Sequence, residues 1–144
     1  MIITFLIIGF TVLFSLAAFS NPDLFYKCKH WPYAEARSGE YYRWLTGGFL
    51  HGDYMHLLFN MLTLFFFGGV VEEWFGVLFP GVGAFFYLFF YLLAIVAASL
   101  ATYYRYRDVQ SFASIGASGA VSAVLFAAIL LQPTMDLNFM FIPI

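Results

Sequence analysis

The stretch HGDYMHLLFNMLTLFFFGGVVEE, residues 51–73, decides how the chain is read. From Tyr54 to Val71 it holds no Asp, Glu, Lys or Arg, and Glu72-Glu73 closes it. A spanning helix takes about 20 residues, so this run reads as a membrane span. His56 and Asn60 stand out within it. Four residues apart on a helix is about 40° off alignment at roughly 100° per residue. Both side chains therefore face one direction, one turn apart. The ordinary use of a lone Asn in a span is an interhelical hydrogen bond that glues the bundle. A His and an Asn aimed at one point can also hold a developing oxyanion.

The composition agrees with a membrane setting. Of 144 residues, 63% are hydrophobic and 10% charged, against about 45–50% and about 25% in a soluble domain. So few charges cannot cover a soluble surface, and they exclude disorder, collagen-like repeats and nucleic-acid binding. A net charge of −2 implies no polyanionic partner. One cysteine, Cys28, excludes an internal disulfide and a multi-cysteine metal site. The expected class is all-α, a polytopic membrane helix bundle.

Working outward, a first span covers Ile2–Phe19 and stops at Ser20-Asn21-Pro22-Asp23. A cleaved signal peptide is the alternative. It lacks a leading Lys or Arg and a good small-x-small site, so a retained anchor is expected. Residues 20–53 interleave Asp23, Lys27, Lys29, Glu35, Arg37, Glu40, Arg43 and Asp53 with Trp31, Tyr33, Tyr41, Tyr42 and Trp44. That mixture describes an interfacial loop with structure of its own. A third span is expected over Leu78–Tyr104 and a fourth over Phe112–Leu131, stopped by Gln132-Pro133. The ending Phe139–Ile144 looks like the start of another apolar element.

At the head of the fourth span lies Gly116-Ala117-Ser118-Gly119-Ala120, followed by Val121-Ser122-Ala123. Ser118 with Ser122, and Gly119 with Ala123, are small-xxx-small pairs suited to helix packing. A serine flanked by glycines is also how a substrate backbone is brought close to a nucleophile. His51 and His56 raise a metal reading. Five residues apart is about 140° around a helix, so one helical face cannot present both, and no metal or other cofactor is expected. At 1.5 Å per residue, His56 and Asn60 lie about 5 and 10 Å past Asp53. Ser118 follows Asp108 on the same side. A hydroxyl and two donors at matched depth form a candidate catalytic set.

These residues resemble the rhomboid intramembrane serine proteases. The resemblance runs through Arg43, Thr46, Phe49, His51, His56, Asn60, Gly68, Glu72 and Gly76, and resumes at Gly116-Ala117-Ser118-Gly119. It implies a rhomboid-like membrane domain over 1–144, with four of six expected spans, that hydrolyses peptide bonds of transmembrane protein substrates in the lipid bilayer. By the resemblance, Ser118 is the nucleophile. His56, Asn60 and the Ser118 N–H line the oxyanion hole. Arg43 matches the arginine of a Trp-Arg motif, with Tyr42 where the Trp is expected. Glu72 is a structural partner at the far end of the second span. Gly119 belongs to a face that packs on a sixth span.

The resemblance also sets topology. All six Lys and Arg fall in the first and third loops, which by the positive-inside rule would make that side cytoplasmic. The resemblance places the N-terminus in the cytoplasm and the active site toward the opposite face, and that is the expected orientation. It assigns the general base to a histidine on a sixth span. The chain has His30, His51 and His56, none after Ser118. The expectation is therefore the N-terminal part of a protease, inactive alone, whose base lies in a C-terminal portion beyond residue 144. A non-catalytic rhomboid-like binder of transmembrane helices is the alternative. A third possibility is an unrelated four-span structural or transport protein, in which Asn60 and Ser118 serve as glue.

Overall fold

The computed structural model describes residues 1–134 and the backbone of Asn138–Phe139 and Ile142–Pro143, which pair as two short antiparallel strands. The expected fifth apolar element at Phe139–Ile144 falls largely outside the described residues. Helices dominate: α1 (Ile2–Phe19), α2 (Pro22–Cys28), α3 (Pro32–Ser38), α4 (Arg43–Thr46), a 3-10 turn at Gly47–Phe49, α5 (Tyr54–Leu78), α6 (Gly83–Tyr106) and α7 (Ser118–Leu131). Three of them, α1, α5 and α6, are long and apolar enough to cross a membrane. The central helix is α5, which packs on α1, α6 and α7.

The first span matches its expected bounds. The second continues past Glu72-Glu73 to Leu78, because glutamate is a good helix former and Glu72 turns inward rather than ending the helix. The third starts at Gly83, not Leu78. Phe79-Pro80-Gly81-Val82 forms the turn between α5 and α6, with Gly81 at φ 80°; proline and a left-handed glycine cannot continue a helix. The fourth span is helical only from Ser118, not from Phe112. Its lead-in is bound elsewhere: His30 and Ser114 exchange backbone hydrogen bonds at 2.9 and 3.1 Å, and Gly116 turns at φ 113°.

On α1 the usual arrangement is largely inverted. Thr4, Ile7, Thr11, Ser15 and Ala18 form the buried stripe of α1, while Phe5, Leu6, Phe10 and Leu13 face outward. In lipid the apolar side chains need no shelter, and the hydroxyls do. The α6 stripe repeats every four residues: Tyr87, Tyr91, Ile95, Ser99 and Tyr103. Ser99 Oγ donates to the Trp44 carbonyl at 2.8 Å and ties α6 to α4.

Residues 20–53 fold into α2, α3, α4 and the 3-10 turn through local signals. Asn21 caps α2, accepting from Leu24 N at 3.1 Å, and Pro22 occupies the first turn. Pro32 opens α3 and Gly39, at φ 69°, closes it. Asp53 caps α5, its Oδ1 accepting from His56 N at 2.8 Å. That cap fixes where the α5 helix begins, and with it the level of His56.

Candidate active site

Ser118 is the first residue of α7 and is exposed. A helix leaves its first N–H groups without intrahelical acceptors, and Ala117 offers no side-chain cap here. The partial positive charge of that helix end favours an anion beside it. Across a groove of about 320 Å³ from Ser118 stand His56 and Asn60, with Ser122 on the same wall as the serine. The structure thus brings together Ser118, His56 and Asn60.

Each partner is held differently. Asn60 is buried, and one of its amide N–H groups donates to the His56 carbonyl at 3.0 Å. The amide has a second N–H to offer. His56 leans on Gly116. A Cβ there would lie 2.7 Å from His56 Cε1 and 2.9 Å from Nε2, and the φ of 113° disfavours any L side chain. Gly116 N in turn donates to the Gly47 carbonyl at 2.9 Å. An imidazole, an amide and the free N–H groups of a helix end can together stabilise the oxyanion of a tetrahedral adduct on Ser118.

A second cavity, about 210 Å³, lies on the other side of Ser118, lined in part by His30, Ser99, Ser114 and Gly116. His30 and Glu35 were not singled out as site residues by sequence reasoning. Glu35 is fully buried and accepts from His30 Nδ1 at 2.7 Å, Trp31 N at 2.8 Å and Trp44 Nε1 at 2.8 Å. Three donors around one carboxylate satisfy an otherwise costly buried charge. Five-residue spacing between His30 and Glu35 was the available signal, but only the fold shows that both point inward. Helical spacing would hold His51 apart from His56 if both lay on one continuous helix. His51 lies in the loop before α5, and the two rings meet at 4.9 Å.

Arg43 and Glu72 sit farther from the groove. Arg43 is buried in the segment 20–53. It pairs with Glu40 and donates from Nη1 to the carbonyls of Tyr26 and Lys29 at 2.7 and 3.0 Å. Tyr42, beside it, donates to the Lys27 carbonyl at 3.0 Å. Glu72 accepts from Ile3 N, Thr4 N and Thr4 Oγ1 at 3.0, 2.9 and 2.7 Å, capping the start of α1. Gly119 faces α6: a Cβ there would meet Ala98 Cβ at 2.5 Å, so this glycine serves close contact with the third span.

A family model described as the Rhomboid domain matches residues 38–144. The Rhomboid protease GlpG of Haemophilus influenzae is 33% identical over 96 residues, covering 67% of this chain and 44% of that protein. The mitochondrial RHOMBOID-like protein 12 of Arabidopsis thaliana is 33% identical over 118 residues, 75% of this chain and 35% of its own length. A Rhomboid protease GlpG of Yersinia pestis is 35% identical over 43 residues, 30% of this chain and 16% of its own. The chain thus spans less than half the length of these relatives.

Proposed function

We propose that this chain, which belongs to the rhomboid family, forms the nucleophile and oxyanion-binding part of an intramembrane serine endopeptidase. The observation that carries the reading is the groove with Ser118 at the start of α7 on one wall and His56 and Asn60 on the other. Ser118 Oγ attacks the carbonyl carbon of a transmembrane substrate. The negative charge that develops on the carbonyl oxygen is held by His56, Asn60 and the Ser118 N–H. A hydroxyl is a weak nucleophile without a base. None of His30, His51 and His56 follows Ser118, and His56 is already committed to the oxyanion. The reading assigns the base of a Ser–His dyad to a histidine outside residues 1–144, supplied by a C-terminal portion. It also puts the N-terminus in the cytoplasm and the groove toward the opposite face.

Hydrolysis needs an extended backbone, which a stable helix withholds. The substrates are therefore transmembrane segments with small or helix-breaking residues near the boundary. The test is covalent labelling of the full-length protein by a fluorophosphonate. Ser118 takes the label, Ser118→Ala abolishes it, and His56→Ala or Asn60→Ala slows substrate turnover by about 10²–10³-fold, the usual cost of one oxyanion donor. A folded full-length protein whose Ser118 takes no label would overturn the reading. It would favour a non-catalytic binder of transmembrane helices instead.

A further inference from the structure

His51 has no part in the site as described above, yet it is fully buried against it. Its Nδ1 lies 2.9 Å from Ser15 Oγ, and Ser15 Oγ donates to the Phe49 carbonyl at 2.8 Å. A serine hydroxyl has one proton, and a carbonyl oxygen only accepts. The hydroxyl proton is used on Phe49, so the His51 Nδ1 must carry the hydrogen of the second bond. That fixes the tautomer: Nδ1–H, with a bare lone pair on Nε2. His51 Nε2 is buried and has no hydrogen-bond partner among the described residues. The ring stands edge-on to His56, at 69° between planes.

His51 is also held neutral. Burial first, and the neighbouring His56 second, push its pKa down to about 4, against the opposing pull of the Phe49 carbonyl and Asp53. The groups that face it are Ser15 from α1, the Phe49 carbonyl, Asp53 at the head of α5, and His56. At neutral pH it is therefore a fixed acceptor. A neutral imidazole has one N–H and an imidazolium has two. A ring that must donate toward an anion on one side gains from an acceptor on the other, because charge-assisted hydrogen bonds are the strong ones. In His56, Cε1 and Nε2 are the ring atoms nearest a Cβ placed on Gly116. Nδ1 lies farther from that glycine.

We propose that His51 is a positioning residue whose Nε2, unpartnered in this structure, accepts an N–H from His56 when an oxyanion forms at Ser118, leaving the other His56 N–H for that oxyanion. The proposal rests on the reading of Ser118 as nucleophile. No bond forms to His51. His56 takes its second proton from solvent as negative charge builds on the substrate carbonyl oxygen, and returns it when the adduct collapses.

The test uses full-length protein carrying ¹⁵N-histidine in lipid nanodiscs, free and after reaction with a fluorophosphonate. In the wild-type adduct both His56 nitrogens carry hydrogen. In His51→Phe, which keeps the ring bulk, one does. Turnover in His51→Phe falls about tenfold, less than for a lost oxyanion donor, in kcat with KM unchanged, and the pH–rate profile moves. His51→Gln, which keeps an acceptor, recovers part of the loss. Ser15→Ala releases the tautomer lock and gives a smaller fall in the same direction, which serves if His51→Phe does not fold. Unchanged His56 nitrogen signals and an unchanged pH profile in both His51→Phe and Ser15→Ala overturn the proposal. If Ser118 takes no label, the nucleophile reading fails. With the label taken and the His56 nitrogen signals unmoved by His51→Phe, the proposal fails while that reading stands.

Discussion

The two ends of α5 hold the two polar clusters that matter most, and they are built on opposite rules. At one end, Glu72 is saturated: two backbone N–H groups, the Thr4 hydroxyl and, at 3.4 Å, the terminal amine all converge on it. Thr4 Oγ1 also lies 3.3 Å from the Tyr87 hydroxyl. At the other end, donors and acceptors are left over. Ser118 is exposed at an uncapped helix start, and His51 Nε2 is bare. A saturated cluster locks helices together. A cluster with unspent hydrogen bonds has something to give to a ligand. The difference separates a polar group kept for assembly from one kept for chemistry.

That contrast breaks if the two clusters respond alike to substitution. The largest stability effect is expected at the saturated end. Glu72→Ala strands the first N–H groups of α1, leaves the Thr4 hydroxyl only its longer contact to Tyr87 and should cost about 3 kcal/mol, read as loss of thermal stability in detergent. The turnover of the protein that remains folded should be unchanged. Gly116→Ala should act chiefly on turnover, with a smaller stability cost from the strained φ of 113°. A Cβ 2.7 Å from His56 Cε1 forces the ring out of place, and kcat should fall by about 10²-fold, worth about 2.7 kcal/mol.

Acid should also sharpen the comparison. The unfolded chain protonates His51 near pH 6.5, while the folded chain resists until about 4. Stability therefore falls as pH drops through that window, by about 2 kcal/mol after allowance for screening. His51→Phe should flatten the dependence in a denaturation series between pH 7 and 4. The smallest effect is expected at Ser99, which ties α6 to α4. Ser99→Ala removes one hydrogen bond to the Trp44 carbonyl and should cost about 1 kcal/mol.

Much of this was legible in the residues. Apolar runs marked α1 and the start of α5, and helical spacing placed His56 with Asn60 on one face. Depth counting put Ser118 near them. What was not legible depended on contacts between distant segments. The start of α7 is set by Ser114 pairing with His30, a partner 84 positions away by number, which no local propensity records. The meeting of His51 and His56 was hidden because helical spacing does not hold across the loop that Asp53 ends. Glu72 looked like the polar stop of a span. Its inward turn is intelligible only once the terminus of α1 lies beside it. His30 and Glu35 carried a usable spacing, but in a segment crowded with charges nothing marked them as the buried pair.

The hydroxyl stripe of α1 also sets a schedule. Thr11 Oγ1 bonds back to the Ile7 carbonyl of its own helix at 2.7 Å, so it is satisfied as soon as α1 is made. Thr4 and Ser15 are not: their partners are Glu72 and the Phe49 carbonyl, 68 and 34 residues downstream. At roughly 5–20 residues per second, Glu72 emerges about 3–14 s after Thr4. For that interval α1 is a young helix with unmet hydroxyls and a hydrophobic exterior. Its lipid-facing side can settle early, while its rotational setting waits for α5 to arrive.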